Sequence, residues 1–488
     1  MLTIIFTFSG CRETTEETTI LSFVEEGKVS VSEVENSSTN NIGTNNSSSN
    51  NSSSNNSDTV SSNPNSVDDD ITDTVILTEE ELRYKPTSLT LTLYDSQNLV
   101  YGFTYNTLEK PIQPVIQIKK SDAKKWNEYA LSSEKTLTFD GDWAQLYYYV
   151  SKATIKLDVN STYIYRICDT GAEKKYGKYI GTDDITFKTK NPKTNSFTFI
   201  HVSDTQRGSL QFGRILSAVK SEADFLLHTG DFVQNPHEDD WIDMLDTNFK
   251  YLSSVPIMPI SGNHEINAGF KNKDTFRHFN NKIPSQSSTD SGYFYSFVYG
   301  NVKFIMLNTN DVKDNKLTTQ QYDWLLDELK SNTCKWTIVA LHNPLYGVGE
   351  WGTKNNTVAL ALQEQLKGIF AQYNVDIVLQ GHDHTISRSF PINGEGNPQI
   401  ETVEKINGVE YSVNPTGVIY LTNGTSGTVT RNPEDYDKSL YKYAAGSEEA
   451  TFAEIVIEGD KLMVTVKHID GEKENVYYTW GIKKLLND

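Results

Sequence analysis

Three cysteines in 488 residues are too few for a disulfide framework, and Cys11, Cys168 and Cys334 form no CxxC pair. Cys168 and Cys334 read as buried free thiols. Basic side chains are also scarce: 44 Lys and Arg stand against 64 Asp and Glu, a formal net charge of −20. Such a chain repels polyanions, so no nucleic-acid polymer is expected as a partner. No apolar run is long enough to span a membrane. Histidine is sparse, nine in all, and none falls between Leu82 and Lys190. Any imidazole chemistry therefore lies outside that stretch. At this length two or three folded units are expected.

What is present divides the chain into four segments. Residues 1–11 hold "LTIIFTFSG", an apolar run closing on small residues, then Cys11 and an abrupt change to polar sequence. That order resembles the end of a bacterial lipoprotein signal, in which the cysteine becomes the lipidated first residue. Phe8 stands where the pattern usually has Leu, and no Lys or Arg precedes the run. The resemblance implies membrane attachment only through a lipid at Cys11, on the extracellular face of a bacterial cell membrane. A secreted protein with an ordinary signal is the alternative. Residues 12–81 read as a tether, since the Asn/Ser-rich stretch from Asn36 to about Asp73 buries too little to offset chain ordering.

From 82 to 191 the runs "TSLTLTLY", "LVYGFTYNT", "QPVIQIK", "YYYVSKATIKL", "TYIYRICD" and "DITFKTK" follow at short spacing. Apolar residues at every second position, with turns and no helical segment between, predict a small antiparallel sandwich. Nothing in it carries evident chemistry. From 192 to 488 the pattern changes to strands alternating with helices: "SFTFIHVSD", "FGRILSAVKS", "DFLLHTGD", "EDDWIDMLDTNFKYL" and "VPIMPISGNHE" lead to "WTIVALHNP" and "DIVLQGHDH". This is the grammar of an α/β domain. The last part is mainly strand again, which predicts a second sheet packed on the first.

Five of the α/β strands end in metal-binding side chains: Asp204, Asp231, Asn263, His342, and the pair His382 and His384. Ligands of open α/β sheets bind at the carboxyl ends of strands. Carboxylates, an amide oxygen and imidazoles suit Zn, Mn or Fe. A shared carboxylate can hold two such ions about 3.5–4 Å apart, as hydrolysis at phosphorus requires. One such motif would be weak; five in order, each closing an apolar strand, are specific.

The ordered set, from roughly Phe197 to Arg388, resembles the calcineurin-like metallophosphoesterase superfamily, with its D-x-H, G-D, G-N-H-E/D, lone H and G-H-x-H signature. The earlier segments "YGFTYNT" and "STYIYRICD…ITFKT" are similar to the fibronectin-like domain that precedes the catalytic domain of purple acid phosphatases. The resemblance implies an α/β metallophosphoesterase fold, two packed sheets flanked by helices, preceded by an all-β fibronectin-III-like sandwich. It implies two divalent ions (Fe, Mn or Zn). Asp204, Asp231 and His384 would hold one, and Asp231, Asn263, His342 and His382 the other, with Asp231 bridging. A hydroxide between the ions would be the nucleophile. His264, beside a ligand, would stabilise phosphoryl oxygens and protonate the departing alkoxide. Glu265 reads as a support for His264 or a turn cap, and Arg388 as an ordinary surface ion pair.

Three departures matter. Gln206 occupies the histidine position of D-x-H, so a glutamine oxygen or water must complete the first shell. Gln234 replaces the tyrosine that binds ferric iron in the purple enzymes, which predicts a nearly colourless protein. Tyr293, Tyr295 and Tyr346 lie near motif segments, but none at the matching spacing. Asn343 stands where a second histidine is common. The resulting expectation is hydrolysis of small phosphate esters, monoesters favoured, with diesters, nucleotide or other, as the alternative. A reading of another class is an inactive surface binding protein on an esterase fold, against which the intact ligand set and His264 argue.

Overall fold

The computed structural model describes residues 76–142, 144–219, 223–269, 276–281, 293–471 and 473–485. Cys11, the signal segment and the tether up to residue 75 lie outside the described residues.

Strand β1 (Thr87–Asp95) shows how the period-two pattern is used on both faces. Its Leu89, Leu91 and Leu93 turn into an apolar core and are at most 4% exposed. The opposite face, Ser88, Thr90 and Thr92, is equally buried but bonds to later parts of the chain. Thr92 Oγ1 donates to the Asn280 carbonyl at 2.6 Å, and the Ser88 N–H donates to Asp246 Oδ1 at 2.6 Å. With β2 (Val100–Thr107), β3 (Pro114–Lys120), β4 (Asn127–Ala130), β5 (Ser132–Phe139), β6 (Gln145–Lys156), β7 (Thr162–Asp169) and β8 (Ile185–Lys188), two sheets form. Their orders are β1-β2-β6-β5 and β4-β3-β7-β8. Edge-on aromatic pairs, Phe103–Tyr165 at 5.2 Å and Tyr101–Phe187 at 5.7 Å, join them. One helix, Thr170–Tyr176, interrupts the expected all-strand run. The Asp169 carboxylate caps it by accepting the Gly171 and Ala172 N–H groups, and Gly177 at φ 70° ends it.

The following region opens with β9 (Ser196–Val202), β10 (Phe225–His228) and β11 (Ile257–Pro259), all parallel. Then come β12 (Tyr295–Tyr299), β13 (Val302–Met306), the short pair β14 (Val312–Lys313) and β15 (Lys316–Leu317), β16 (Trp336–Leu341), β17 (Ile377–Gln380) and β18 (Ile386–Ser389). The remaining strands are β19 (Val403–Ile406), β20 (Val409–Val413), β21 (Ile419–Asn423), β22 (Tyr441–Ala445), β23 (Thr451–Glu458), β24 (Lys461–Asp470) and β25 (Lys473–Lys483). They build one sheet of order β11-β10-β9-β23-β24-β25-β20-β19 and another of order β12-β13-β16-β17-β21-β18-β22. The final strands thus return to the first sheet, with β23 antiparallel to β9, rather than making a second sheet of their own.

Residue alternation sorts the layers. Phe199 and Phe225 stack at 5.3 Å between the sheets and meet Phe304 of the facing sheet edge-on at 5.2 and 5.4 Å. Their neighbours Ile200 and Leu226 point outward onto Phe212, Leu216 and Trp241 of the helices Ser209–Val219 and Glu238–Thr247. On the other side Val339 and Val378 meet Leu362, Leu366 and Phe370 of the helix Thr357–Gln372. Helix, sheet, sheet and helix therefore stack in that order, and β10, β16 and β17 read as continuous apolar runs because both faces of each are covered. No helix among the described residues is long and apolar enough to cross a membrane.

Candidate metal centre

Each candidate ligand sits one to four residues past a strand: Asp204 after β9, Asp231 after β10, Asn263 after β11, His342 after β16, and His382 and His384 after β17. Three of those strands belong to one sheet and two to the other, so the site forms where the carboxyl ends of both sheets meet. The turns there are tight. Asp204, Asp231, His382 and His384 all hold left-handed backbone, φ 55° to 69°. Each such residue costs about 1–2 kcal/mol outside glycine, strain typical of functional sites. Close approach fixes the glycines between them: a Cβ on Gly262 would lie 2.1 Å from Asp231 Oδ1.

Donor atoms converge in two groups. In one, His342 Nε2 lies 3.4 Å from Asp231 Oδ2 and 3.0 Å from Asn263 Oδ1, and Asp231, His342 and His382 present ligand atoms all within 4.8 Å of one another. In the other, His384 Nε2 lies 3.3 Å from Asp204 Oδ1. Backbone carbonyls set the tautomers. His342 Nδ1 donates to the Thr229 carbonyl at 2.7 Å, and His384 Nδ1 donates to that of Val429. Each Nε2 thus faces the carboxylates: protonated it pairs with them, and deprotonated it offers the lone pair a metal-binding imidazole needs. Gln206 also fits this reading: its Oε1 is buried without a hydrogen-bond partner, while its Nε2 is 3.3 Å from His384 Nε2. A cation would satisfy that orphaned oxygen.

The charges of the cluster depend on one another. Burial works against ionising Asp204 and Asp231, yet His384 and His342 respectively hold both below the usual carboxylate range. Burial likewise disfavours charge on His342, but Asp231 holds its pKa up to about 9. Burial and the His342 charge push His382 down to about 4. Two imidazoles 5.0 Å apart are thereby driven in opposite directions.

His264 opens a short 3-10 turn, His264–Gly269. Its N–H donates to Asp231 Oδ1 at 2.9 Å, and its Nδ1 donates to the Gln234 carbonyl at 2.7 Å. Its Nε2 lies 3.9 Å from Asp231 Oδ2 on the cavity side. Gln206, Asp231, Gln234, Asn263, His264, His382 and His384 line a cavity of about 320 Å³, whereas Asp204 and His342 are fully buried and not part of its lining. Among the described residues no tyrosine lines it. Tyr295 donates to the Pro259 carbonyl and Tyr346 packs on Tyr420.

Two sequence readings need correction. Glu265 caps its own turn through the Gly262 N–H but does more than that. Fully buried, it accepts N–H groups from Asp231, Phe232, Val233 and Gly262 at 2.7–3.3 Å and ties two ligand turns together. Burial and Asp231 push its pKa up to about 8, while those donors favour the carboxylate. Arg388 is no surface residue: it is 3% exposed, paired with Glu401 and stacked over Trp480, away from the cavity. Sequence reading also missed the segment after β21, whose Val429 carbonyl orients His384. The only signal was "GTSG", where Gly427 lets the chain pass against the carbonyls of Asp204 and Gln206.

Residues 197–385 match the family model described as calcineurin-like phosphoesterase. This part of the chain is a calcineurin-like phosphoesterase domain. Purple acid phosphatase 15 of Arabidopsis thaliana is 28% identical over 181 residues, 36% of this chain and 30% of the relative. The chain spans 30–38% of the length of the first curated relatives it matches. Among solved structures, purple acid phosphatase PPD1 from yellow lupin (Lupinus luteus) superposes with TM-score 0.65 at 18% identity, covering 82% of this chain and 75% of that one. PhoD superposes with TM-score 0.59 at 12% identity, covering 82% and 90%. These likenesses extend the phosphoesterase fold across most of the chain.

Proposed function

We propose that the chain hydrolyses small phosphate esters, monoesters in preference to diesters, at a centre whose residues would hold two divalent ions. The observation that carries this reading is the pair of donor groups sharing one cavity, each with an imidazole Nε2 turned toward a buried carboxylate. Asp204, His384 and the Gln206 amide would hold one ion; Asn263, His342 and His382 the other; Asp231 would serve both. Bound there, divalent ions activate water and neutralise phosphoryl charge.

The chain's own groups supply the rest. His264 keeps Nδ1 committed to the Gln234 carbonyl, so Nε2 is the atom that takes up or delivers a proton at the leaving oxygen. Glu265 and the left-handed turns hold the donors in register, so no reorganisation accompanies the reaction. Gln234 offers a neutral amide where a phenolate would favour ferric iron, which supports divalent metal and a colourless protein. We also infer a β-sandwich segment at 82–191, a phosphoesterase segment at 192–488, and lipid attachment at Cys11. The last is tested by whether Cys11→Ser releases the bacterially expressed protein from the detergent phase.

The deciding experiment gives one metal-loaded sample a generic phosphomonoester and a generic phosphodiester. Faster monoester turnover that disappears on chelation is expected. Turnover of neither would overturn the reading, and faster diester turnover would reverse the preference.

A further inference from the structure

Beside the ligands, the cavity has a wall that metal chemistry does not require. Trp351 is 44% exposed and is the only tryptophan among the described residues classed as exposed. What singles it out is its place, a half-exposed indole on the wall of the cavity that holds the candidate ligands. Its ring lies 6.1 Å from that of His382, and both line the cavity with Val429 and Arg431.

This wall is built rather than incidental. Asp383, between the two histidines of "GHDH", is fully buried and accepts the N–H groups of Val348 and Gly349 at 2.8 and 2.9 Å. Those bonds pin the loop that carries Glu350 and Trp351. A Cβ on Gly349 would lie 2.8 Å from the same carboxylate, so the close approach needs glycine. From the opposite side the Glu434 N–H donates to the Val348 carbonyl at 2.8 Å, and Arg431 pairs with Glu350. The Arg431 guanidinium stands 5.8 Å from the indole ring.

We propose that Trp351, buttressed by Arg431 and Glu350, is a leaving-group subsite selecting phosphate esters whose leaving group carries a planar aromatic ring. The proposal rests on the phosphoesterase reading above. A ring laid on the indole removes apolar surface of both from water, while the ester phosphorus stays over the ligand cluster. Arg431 already has Glu350 as its counter-ion, so it supports the indole rather than waiting for a second phosphate.

The test compares benzyl phosphate with propyl phosphate, whose leaving alcohols are similarly basic, on the metal-loaded full chain. Calorimetric binding of benzylphosphonate and propylphosphonate gives a readout independent of turnover. The benzyl ligand should win by about 5- to 150-fold in kcat/KM and in affinity, the range of single-ring stacking. Trp351→Ala should collapse both ratios toward one, and Trp351→Phe should keep most of each. Equal handling of the two esters by the wild type, or ratios unchanged in Trp351→Ala, would overturn the subsite. Preferential benzylphosphonate binding with no ester turnover would support the subsite and overturn the hydrolase reading instead.

Discussion

Two regions of this molecule bury clusters of charge, and they resolve it differently. Where the sandwich meets the α/β region, Glu238 is fully buried with Arg277 at 5% and His278 at 0% exposure. Glu238 pairs with Arg277 and accepts from Asn106 Nδ2 at 2.9 Å, and Arg277 also donates to Thr138 Oγ1 at 2.9 Å. The chain supplies both signs of charge there. At the strand ends, by contrast, Asp204, Asp231 and Glu265 gather around imidazoles, and the strongest influences on the two aspartates besides burial are those imidazoles. A buried cluster that compensates itself is architecture. One whose carboxylates lean on titratable imidazoles is incomplete in another sense: the imidazole protons can be exchanged for cations, which suits the strand ends to metal binding.

The largest expected effect breaks the incomplete cluster at its centre. Asp231→Asn keeps an oxygen for the His264 N–H but removes the charge that, on the proposed reading, would serve both donor groups. Metal content and phosphoester turnover should both fall to background, while circular dichroism stays native. Undiminished hydrolysis by a metal-replete sample would end the shared-ligand assignment.

His264→Ala should leave metal in place and reduce turnover by about 10²–10⁴-fold, the usual share of a positioned acid. The deficit should shrink for esters with good leaving groups, which need little protonation. Loss of metal, or an equal deficit across leaving groups, would place His264 among the structural residues.

The self-compensated cluster should respond in stability instead. Glu238→Gln leaves Arg277 buried beside a neutral amide and should cost about 3–5 kcal/mol in denaturant unfolding. Turnover per folded molecule should not change. His278 sharpens the same contrast through pH. Burial and Arg277 hold its pKa well below 6.5, so the folded state keeps it neutral while the unfolded chain takes up a proton below that pH. The unfolded state binds more protons there, so this stability is present above about pH 6.5 and falls by about 1.4 kcal/mol per unit below it. His278→Gln should remove that much of the acid slope; an unchanged slope would assign it to other groups.

The strand ends were legible because each candidate ligand closes an apolar run, and a run buried on both faces is hard to mistake. The sandwich was legible for the same reason in period two, as Leu89, Leu91 and Leu93 show. What escaped reading depends on contacts between residues distant in sequence. Glu265 is decisive through N–H groups more than thirty residues earlier, and Val429 reaches His384 from 45 residues later. The return of β23 to β9 likewise joins segments that no local pattern links. Arg388 was misplaced because a charged residue in a short strand reads as exposed, whereas Glu401 and Trp480 enclose it.

The smallest expected effect lies inside the incomplete cluster, between its two halves. The half around His342 assembles Asp231, Asn263 and His382, whereas the half around His384 has Asp204 and the amide of Gln206, and would draw on Asp231 only as a shared ligand. An amide oxygen is a weak donor to Zn, Mn or Fe compared with an imidazole nitrogen. The unpartnered, buried Oε1 of Gln206 shows where a better donor would act. Gln206→His should therefore tighten binding of one metal equivalent by about 10-fold, comparable with the effects of tuning groups around a bound metal. The other equivalent should keep its affinity, because the residues around His342 are untouched. Calorimetric titration of the metal-stripped protein resolves the two equivalents. If both tighten together, the halves are not independent and Asp231 couples them; if neither moves, Gln206 stands outside the shell.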